Sequence, residues 1–152
     1  MASPPLASGA PCGEEITGIH KNTVARGPGA FARNQARISD CHDATIYALA
    51  PLDCLSISCC SDCVVVVGAV GKLIRVERCV RLQLIAVCRR IYINASHDCI
   101  FYLGTNQPPV LLGDNRFVQV MTALQTHKPS RCYWCGAKLL IRSSRAMVCV
   151  LC

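Results

Sequence analysis

The residues best equipped for chemistry lie near the end of the chain, where Cys132-Tyr133-Trp134-Cys135 and Cys149-Val150-Leu151-Cys152 form two C-x-x-C pairs. Four thiolates presented as two knuckles suit a tetrahedral zinc ion, so Cys132, Cys135, Cys149 and Cys152 are candidate metal ligands. The last four residues, behind a basic segment, also read as a C-a-a-X prenylation signal with an unusual final Cys, or as a plain tail. Gly68-Ala69-Val70-Gly71-Lys72 follows four valines like a phosphate loop. Such a loop needs four residues between its glycines and Ser or Thr after the lysine, whereas here there are two residues and then Leu73, so a glycine corner is the expected reading. Lys72, Arg75, Arg78 and Arg81 are expected on solvated strand and turn positions. His42 and His97 point outward and lack a carboxylate or nucleophile to work with. Cys41, Cys60 and Cys79 form one series and Cys63 and Cys99 another, expected as free core thiols without a bound metal.

These residues are positioned by a repeat. The pieces ISDC41, ISCC60, VERC79, INAS96 and LGDN115 follow one another at steps of 19, 19, 17 and 19 residues. Three positions before each fourth letter stand Ile38, Ile57, Val76, Ile93 and Leu112. Three positions after come Ala44, Cys63, Leu82, Cys99 and Val118, and five after come Ile46, Val65, Leu84, Phe101 and Val120. A period near twenty with apolar residues at every second position describes an all-β solenoid, here of about five short rungs whose inward columns bury one another.

Residues 1–37, rich in Pro, Gly, Ala and Ser, are expected as a flexible lead-in, with Gly18 to Ala36 as an irregular edge. Residues 38–120 are the solenoid, and 121–152 a basic, irregular, Cys-rich tail that leaves the last rung uncapped and open to self-association. The formal net charge of +7 is uneven: residues 38–120 carry seven basic and seven acidic side chains, whereas 121–152 carry five basic and none acidic. A neutral solenoid argues against a nucleic-acid-binding face. No apolar run reaches the length of a membrane span, and the opening MASPPLASGAP lacks the basic start and apolar run of a signal peptide. The thirteen cysteines, an odd number, are therefore read as thiols of a cytoplasmic protein.

With the rungs laid out, ISDCHDATIYALAPLDCLSIS, SDCVVVVGAVGKLIRVERC, LQLIAVCRRIYI and DCIFYLGTNQPPVLLGDN, with RFVQV behind them, make residues 38–120 resemble the tubulin-binding cofactor C domain family. The resemblance implies a right-handed parallel β-helix, a cytoskeletal role and protein partners such as tubulin or small GTPases. In the family's GTPase-activating members an arginine in a Gln-Gln-x-Arg segment acts as a finger, a device worth a rate factor of about 10³–10⁵. Aligned on Cys88-Arg89-Arg90-Ile91-Tyr92, the finger position falls on Tyr92, with Arg89 and Arg90 at the two glutamines. A phenol has no such cation. The resemblance thus implies a non-enzymatic scaffold without a cofactor, linked to a microtubule-organising centre, basal body or Golgi positioning. A GTPase-activating domain using Arg89 or Arg90 and a zinc-stabilised tail module are the alternatives.

Overall fold

The computed structural model describes residues 14–105 and 107–122, and the backbone of 140–143 and 146–151. Alternating β-branched residues produce strands here because each backbone N–H and C=O finds its partner in the neighbouring turn while alternate side chains enter a shared core. The first long sheet stacks β1 (Glu14–Thr17), β3 (Gln35–Ser39), the second part of β5 (Leu52–Ser58), the second part of β6 (Val64–Glu77), β8 (Ile91–Asn94) and β10 (Val110–Leu112). The second stacks β2 (Thr23–Arg26), β4 (Thr45–Ala48), the first part of β6, β7 (Gln83–Cys88), β9 (Ile100–Gly104) and β11 (Val118–Thr122). All these pairings are parallel. Between the two sheets runs a one-residue ladder, His20, His42, Ser61, Val80, His97 and Arg116, one rung per turn.

The described residues therefore make six turns. The additional one comes from residues 14–26, inside the stretch expected as a flexible lead-in, and the correction has a simple cause. Ile16 is buried beneath Ile38, but the first turn offers few other apolar residues, so its periodicity is weak in the sequence. The inward column Ile16, Ile38, Ile57, Val76, Ile93 and Leu111 is buried throughout, as are Ala44, Cys63, Leu82, Cys99 and Val118, and Ile46, Val65, Leu84, Phe101 and Val120. Neighbours in such a column lie about 4.8 Å apart.

One member of the expected columns is displaced. Leu111, 7% exposed, stacks on Ile93, whereas Leu112 is 42% exposed and pairs with Asn94. The registers locate the reason: from Asn94 to Ile100 the chain takes six steps, but from Leu112 to Gln119, their partners one turn on, it takes seven. The sixth turn thus carries one extra residue beside the ladder. Asn115 spans the longer corner, its Nδ2 donating to the Leu112 carbonyl at 2.8 Å and its Oδ1 accepting from the Ser96 backbone N–H at 2.9 Å.

The sharp corners are not made by the glycines singled out in the sequence. Gly68 and Gly71 lie within the continuous strand β6, and a β-carbon at either would meet its nearest neighbours at 3.4 and 3.7 Å, ordinary contacts. Left-handed backbone occurs instead on both sides of the ladder, in every turn. On one side are Gly18, Asp40, Cys59, Arg78, Ala95 and Gly113, and on the other Lys21, Asp43, Asp62, Arg81, Asp98 and Phe117. Four of these are Asp, whose short polar side chain tolerates this conformation. The others hold it because stacked backbone hydrogen bonds on each side of the ladder fix it, such as Cys59 N–H to the Glu77 carbonyl and Arg78 N–H to the Asn94 carbonyl.

The two sheets differ on their outer surfaces. The first presents Glu15, Arg37, Ser56, Arg75 and Tyr92 along one outward row. The second presents Ala25, Tyr47, Val66, Ile85, Tyr102 and Met121, a row without a charge. At the far end the expectation of an irregular tail and an uncapped rung is corrected for the second sheet. There β13 (Ala146–Leu151) pairs antiparallel with β11, and β12 (Leu140–Ser143) with β13. This β-hairpin occupies the N–H and C=O groups that a free parallel edge would expose.

Candidate functional site

The corner between β7 and β8 carries Arg89 and Arg90, and β8 carries Tyr92, the residue that the family resemblance aligns with the finger. Alternation in β8 sends Ile91 and Ile93 into the core and Tyr92 outward, half-buried between Arg75 one turn before and Val110 one turn after. Arg75 leans towards Glu77 at 3.8 Å, and Arg37, three turns before Tyr92, towards Glu15 at 3.9 Å. Arg89 and Arg90 are exposed on the corner itself. Nε of Arg90 donates to Gln107 Oε1 at 3.1 Å, and the Arg89 carbonyl accepts from the buried Thr105 hydroxyl at 3.3 Å. The arrangement is an outer face carrying guanidinium groups and a phenol. It offers charge-assisted hydrogen bonds to a partner's carboxylates, but it places no nucleophile, base and orienting group together.

The internal thiols form a second constellation. Cys41, Cys60 and Cys79 donate S–H to the carbonyls of Ser39, Ser58 and Glu77, each two residues back, at 3.4, 3.3 and 3.3 Å. Ser96 continues the series one turn on, its Oγ donating to the Asn94 carbonyl at 3.1 Å. Cys63 and Cys99 do the same across the ladder, to Ser61 at 3.2 Å and His97 at 3.2 Å. The repeated fourth letter of the sequence is thus a small donor that satisfies the strand-end carbonyl beside a left-handed corner. Sequence reading sees the column but not this role, which the shared donor chemistry of Cys, Ser and Asn at that position signals.

Four of these thiols, Cys41, Cys60, Cys63 and Cys99, are held protonated. The neighbouring Cys63 thiol lowers Cys60, but the Cys79 thiol and burial outweigh it and push Cys60 up to about 12. Cys63 is raised further by its hydrogen bond with Cys60 and by burial, and Cys41 and Cys99 are raised chiefly by burial. Burial alone pushes Cys88 up to about 11. A metal ligand must be a thiolate, so this environment opposes metal binding inside the solenoid.

The remaining residues singled out in the sequence disperse. Lys72 pairs with Asp53 at 3.2 Å, and Arg81 makes a bidentate pair with Asp62, whose carboxyl it holds below the usual range. Both pairs are exposed, where solvent screening leaves little stabilisation. His42 stacks on His20 with ring centroids 5.2 Å apart, and its Nδ1 meets the Ser61 hydroxyl. No group of three metal-ligating side chains converges among the described residues. Of the candidate zinc ligands, Cys132, Cys135 and Cys152 lie outside the described residues, and Cys149 sits in β13 opposite Val120. No helix of the described residues is long and apolar enough to cross a membrane.

Comparison with known proteins places this geometry. The sequence profile described as TBCC, tubulin binding cofactor C, matches residues 33–132. TBCC domain-containing protein 1 of Homo sapiens is 32% identical over 111 residues, which are 73% of this chain and 20% of that protein. Its Bos taurus counterpart is 30% identical over the same share of each chain, and that of Xenopus tropicalis 29% identical over 66% of this chain and 18% of its own length. The chain thus spans about a fifth of the length of these curated relatives. A match over most of the solenoid, on a parallel six-turn architecture, means that this chain belongs to the tubulin binding cofactor C family.

Proposed function

We propose that this chain is a non-enzymatic binding module that engages cytoskeletal protein partners, tubulin-related proteins or small GTPases, through the outer faces of its solenoid. Its setting would be a microtubule-organising centre, basal body or Golgi-positioning assembly. The reading rests on the side chain that the family resemblance aligns with the finger. Tyr92 stands in the outward row of the first sheet between Arg75 and Val110, and a phenol has no cation for the charge that develops during phosphoryl transfer. The outward guanidinium groups beside it remain suited to a partner's carboxylates.

A second reading uses the exposed Arg89 and Arg90, three and two positions before Tyr92, as a displaced finger. It is disfavoured because Arg90 is engaged with Gln107 of the following turn. Single-turnover GTP hydrolysis with tubulin, and separately with an Arf-like GTPase, tests the choice. The expected result is association with the partner and an unchanged hydrolysis rate. Strong acceleration that Arg89→Ala or Arg90→Ala abolishes would establish the second reading.

A further inference from the structure

An imidazole is a metal ligand as well as a base, and the ladder between the two sheets sets two of them side by side. His20 and His42 occupy successive rungs, both exposed. Their ring centroids are 5.2 Å apart and the rings are inclined by 22°. The backbone fixes this spacing: the His42 N–H donates to the Ile19 carbonyl at 2.9 Å, and the Lys21 N–H to the His42 carbonyl at 3.1 Å. One turn on, the Ser61 hydroxyl meets His42 Nδ1. Neither the core nor the arginine-bearing face makes use of this pair.

We propose that His20 and His42 together bind a divalent transition-metal ion of the imidazole-preferring class, Ni²⁺, Cu²⁺ or Zn²⁺. The separation suits such an ion. It lies about 2.1 Å from each ligating nitrogen, which sets the two nitrogens about 3.0–3.4 Å apart at angles between square and tetrahedral. Starting from rings 5.2 Å apart, each ring tip has to move by about 1 Å, a small side-chain rotation on a fixed backbone. The orientation suits it as well. With Nδ1–H of His42 donating to Ser61 Oγ, the Nε2 lone pair is left for the ion, and a hydrogen bond at the other ring nitrogen is how ligating imidazoles are ordinarily held. The surroundings carry no excess of positive charge: Asp40, Asp43 and Asp62 stand in the flanking corners, against Lys21 and the Arg81 that is bound to Asp62. No third protein ligand joins the pair among the described residues, so water completes the coordination. The ion therefore exchanges readily and is lost on purification, unlike one held by four thiolates. While bound, it ties the first turn, which buries few apolar residues, to the second.

The ladder supplies its own control, because His97 stands between Val80 and Arg116 with no second imidazole beside it. The untagged, reduced full chain, labelled with ¹⁵N, is titrated with Ni²⁺ at about pH 7.5, and the imidazole NMR signals, which this paramagnetic ion broadens, are followed. The His20 and His42 signals should vanish together and saturate at one ion per chain, at an ion concentration at least about tenfold below that affecting His97. His42→Ala should raise the concentration that broadens His20 at least about tenfold, by removing the chelate. Ser61→Ala should raise it about tenfold, the low end for losing a bond that orients a ligand. Val80→His, which gives His97 a neighbouring imidazole, should add a second ion and lower the concentration that broadens His97 about tenfold. Because His42 is exposed, the urea midpoint of His42→Ala without the ion should match wild type, which separates lost binding from lost folding. Three results would overturn the proposal: broadening of His97 at the same ion concentration as the pair, an unchanged response of His20 in His42→Ala, or a near-ultraviolet thiolate-to-nickel charge-transfer band with the first equivalent, which would place the ion on cysteines.

Discussion

The extra residue in the sixth turn gives a sharp contrast between two adjacent leucines. Leu111 is 7% exposed and stacked on Ile93, whereas Leu112 is 42% exposed and faces outward. Truncating a buried leucine to alanine costs about 2–5 kcal/mol, and the lower half of that range applies to Leu111 because β10 pairs only with β8 among the described strands. Truncating Leu112, already largely in water, should cost less than about 0.5 kcal/mol. With a urea m-value of about 2 kcal/mol per molar, Leu111→Ala should lower the unfolding midpoint by roughly 1–1.8 M and Leu112→Ala by less than about 0.3 M. The assay is urea unfolding of the full chain followed by circular dichroism, with m compared between variants so that a change in compactness is not read as a change in stability. Equal costs at the two positions, or a larger cost at Leu112, would refute the register and with it the extra residue. Gly113→Ala provides an independent check. Its φ is +69° and an added β-carbon would stand 2.5 Å from Asn94 Oδ1, so a loss of about 1–3 kcal/mol is expected if the corner is built this way.

Other outcomes follow from the buried donors and from the tail. Ser96→Cys, which installs the donor used one turn earlier, should change stability by less than about 0.5 kcal/mol. Ser96→Ala, which removes the hydrogen bond to the Asn94 carbonyl, should cost about 1 kcal/mol in the same urea assay. Cys88 is protonated more tightly in the folded chain, at about 11, than in the unfolded chain. Its contribution is therefore fully present below the thiol's ordinary value and is lost as pH rises towards 11, at up to about 1.4 kcal/mol per pH unit. Urea titrations at pH 7, 9, 10 and 11 should show a shallower loss in Cys88→Ser than in wild type, and parallel curves would contradict the assignment. β13 is extended to Leu151, whereas a zinc knuckle turns its two thiolates onto one ion. Purified protein should accordingly hold less than about half an equivalent of zinc, unchanged by Cys132→Ser.

Much of the solenoid was legible because its inward columns repeat in letters as well as in space. Ile38, Ile57, Val76 and Ile93 differ only by a methyl group or its position, and the ladder keeps its spacing wherever the corner length is constant. Leu112 leaves its column for the converse reason: a single extra residue between β10 and the ladder offsets the letters before it from those after it, without altering the composition around it. The first turn was missed because Ile16 is isolated among polar residues. The corners were assigned to Gly68 and Gly71 on the general rule that left-handed backbone selects glycine. In this protein stacked backbone hydrogen bonds override that rule and hold Cys59, Arg78 and Ala95 there. At the site, the outward direction of Tyr92 follows from alternation alone. The bond from Arg90 to Gln107 does not, because it depends on which residues of successive turns come to face each other across the wide bend.

The donor column also supplies the chain with its own set of internal clocks. Cys41 belongs to the second turn, Cys60 and Cys63 to the third, Cys79 to the fourth and Cys99 to the fifth, and each is shielded from solvent only while its turn stays stacked. A thiol-reactive probe reaches one of them when that turn unwinds, so the modification rates, resolved by mass spectrometry, read local opening along the axis turn by turn. In a stack whose members touch only their neighbours, those rates distinguish unravelling from one end, which gives a gradient across the four turns, from collective melting, which gives a single rate. The side chains that close the corners thus double as natural labels for the order in which the coil comes apart.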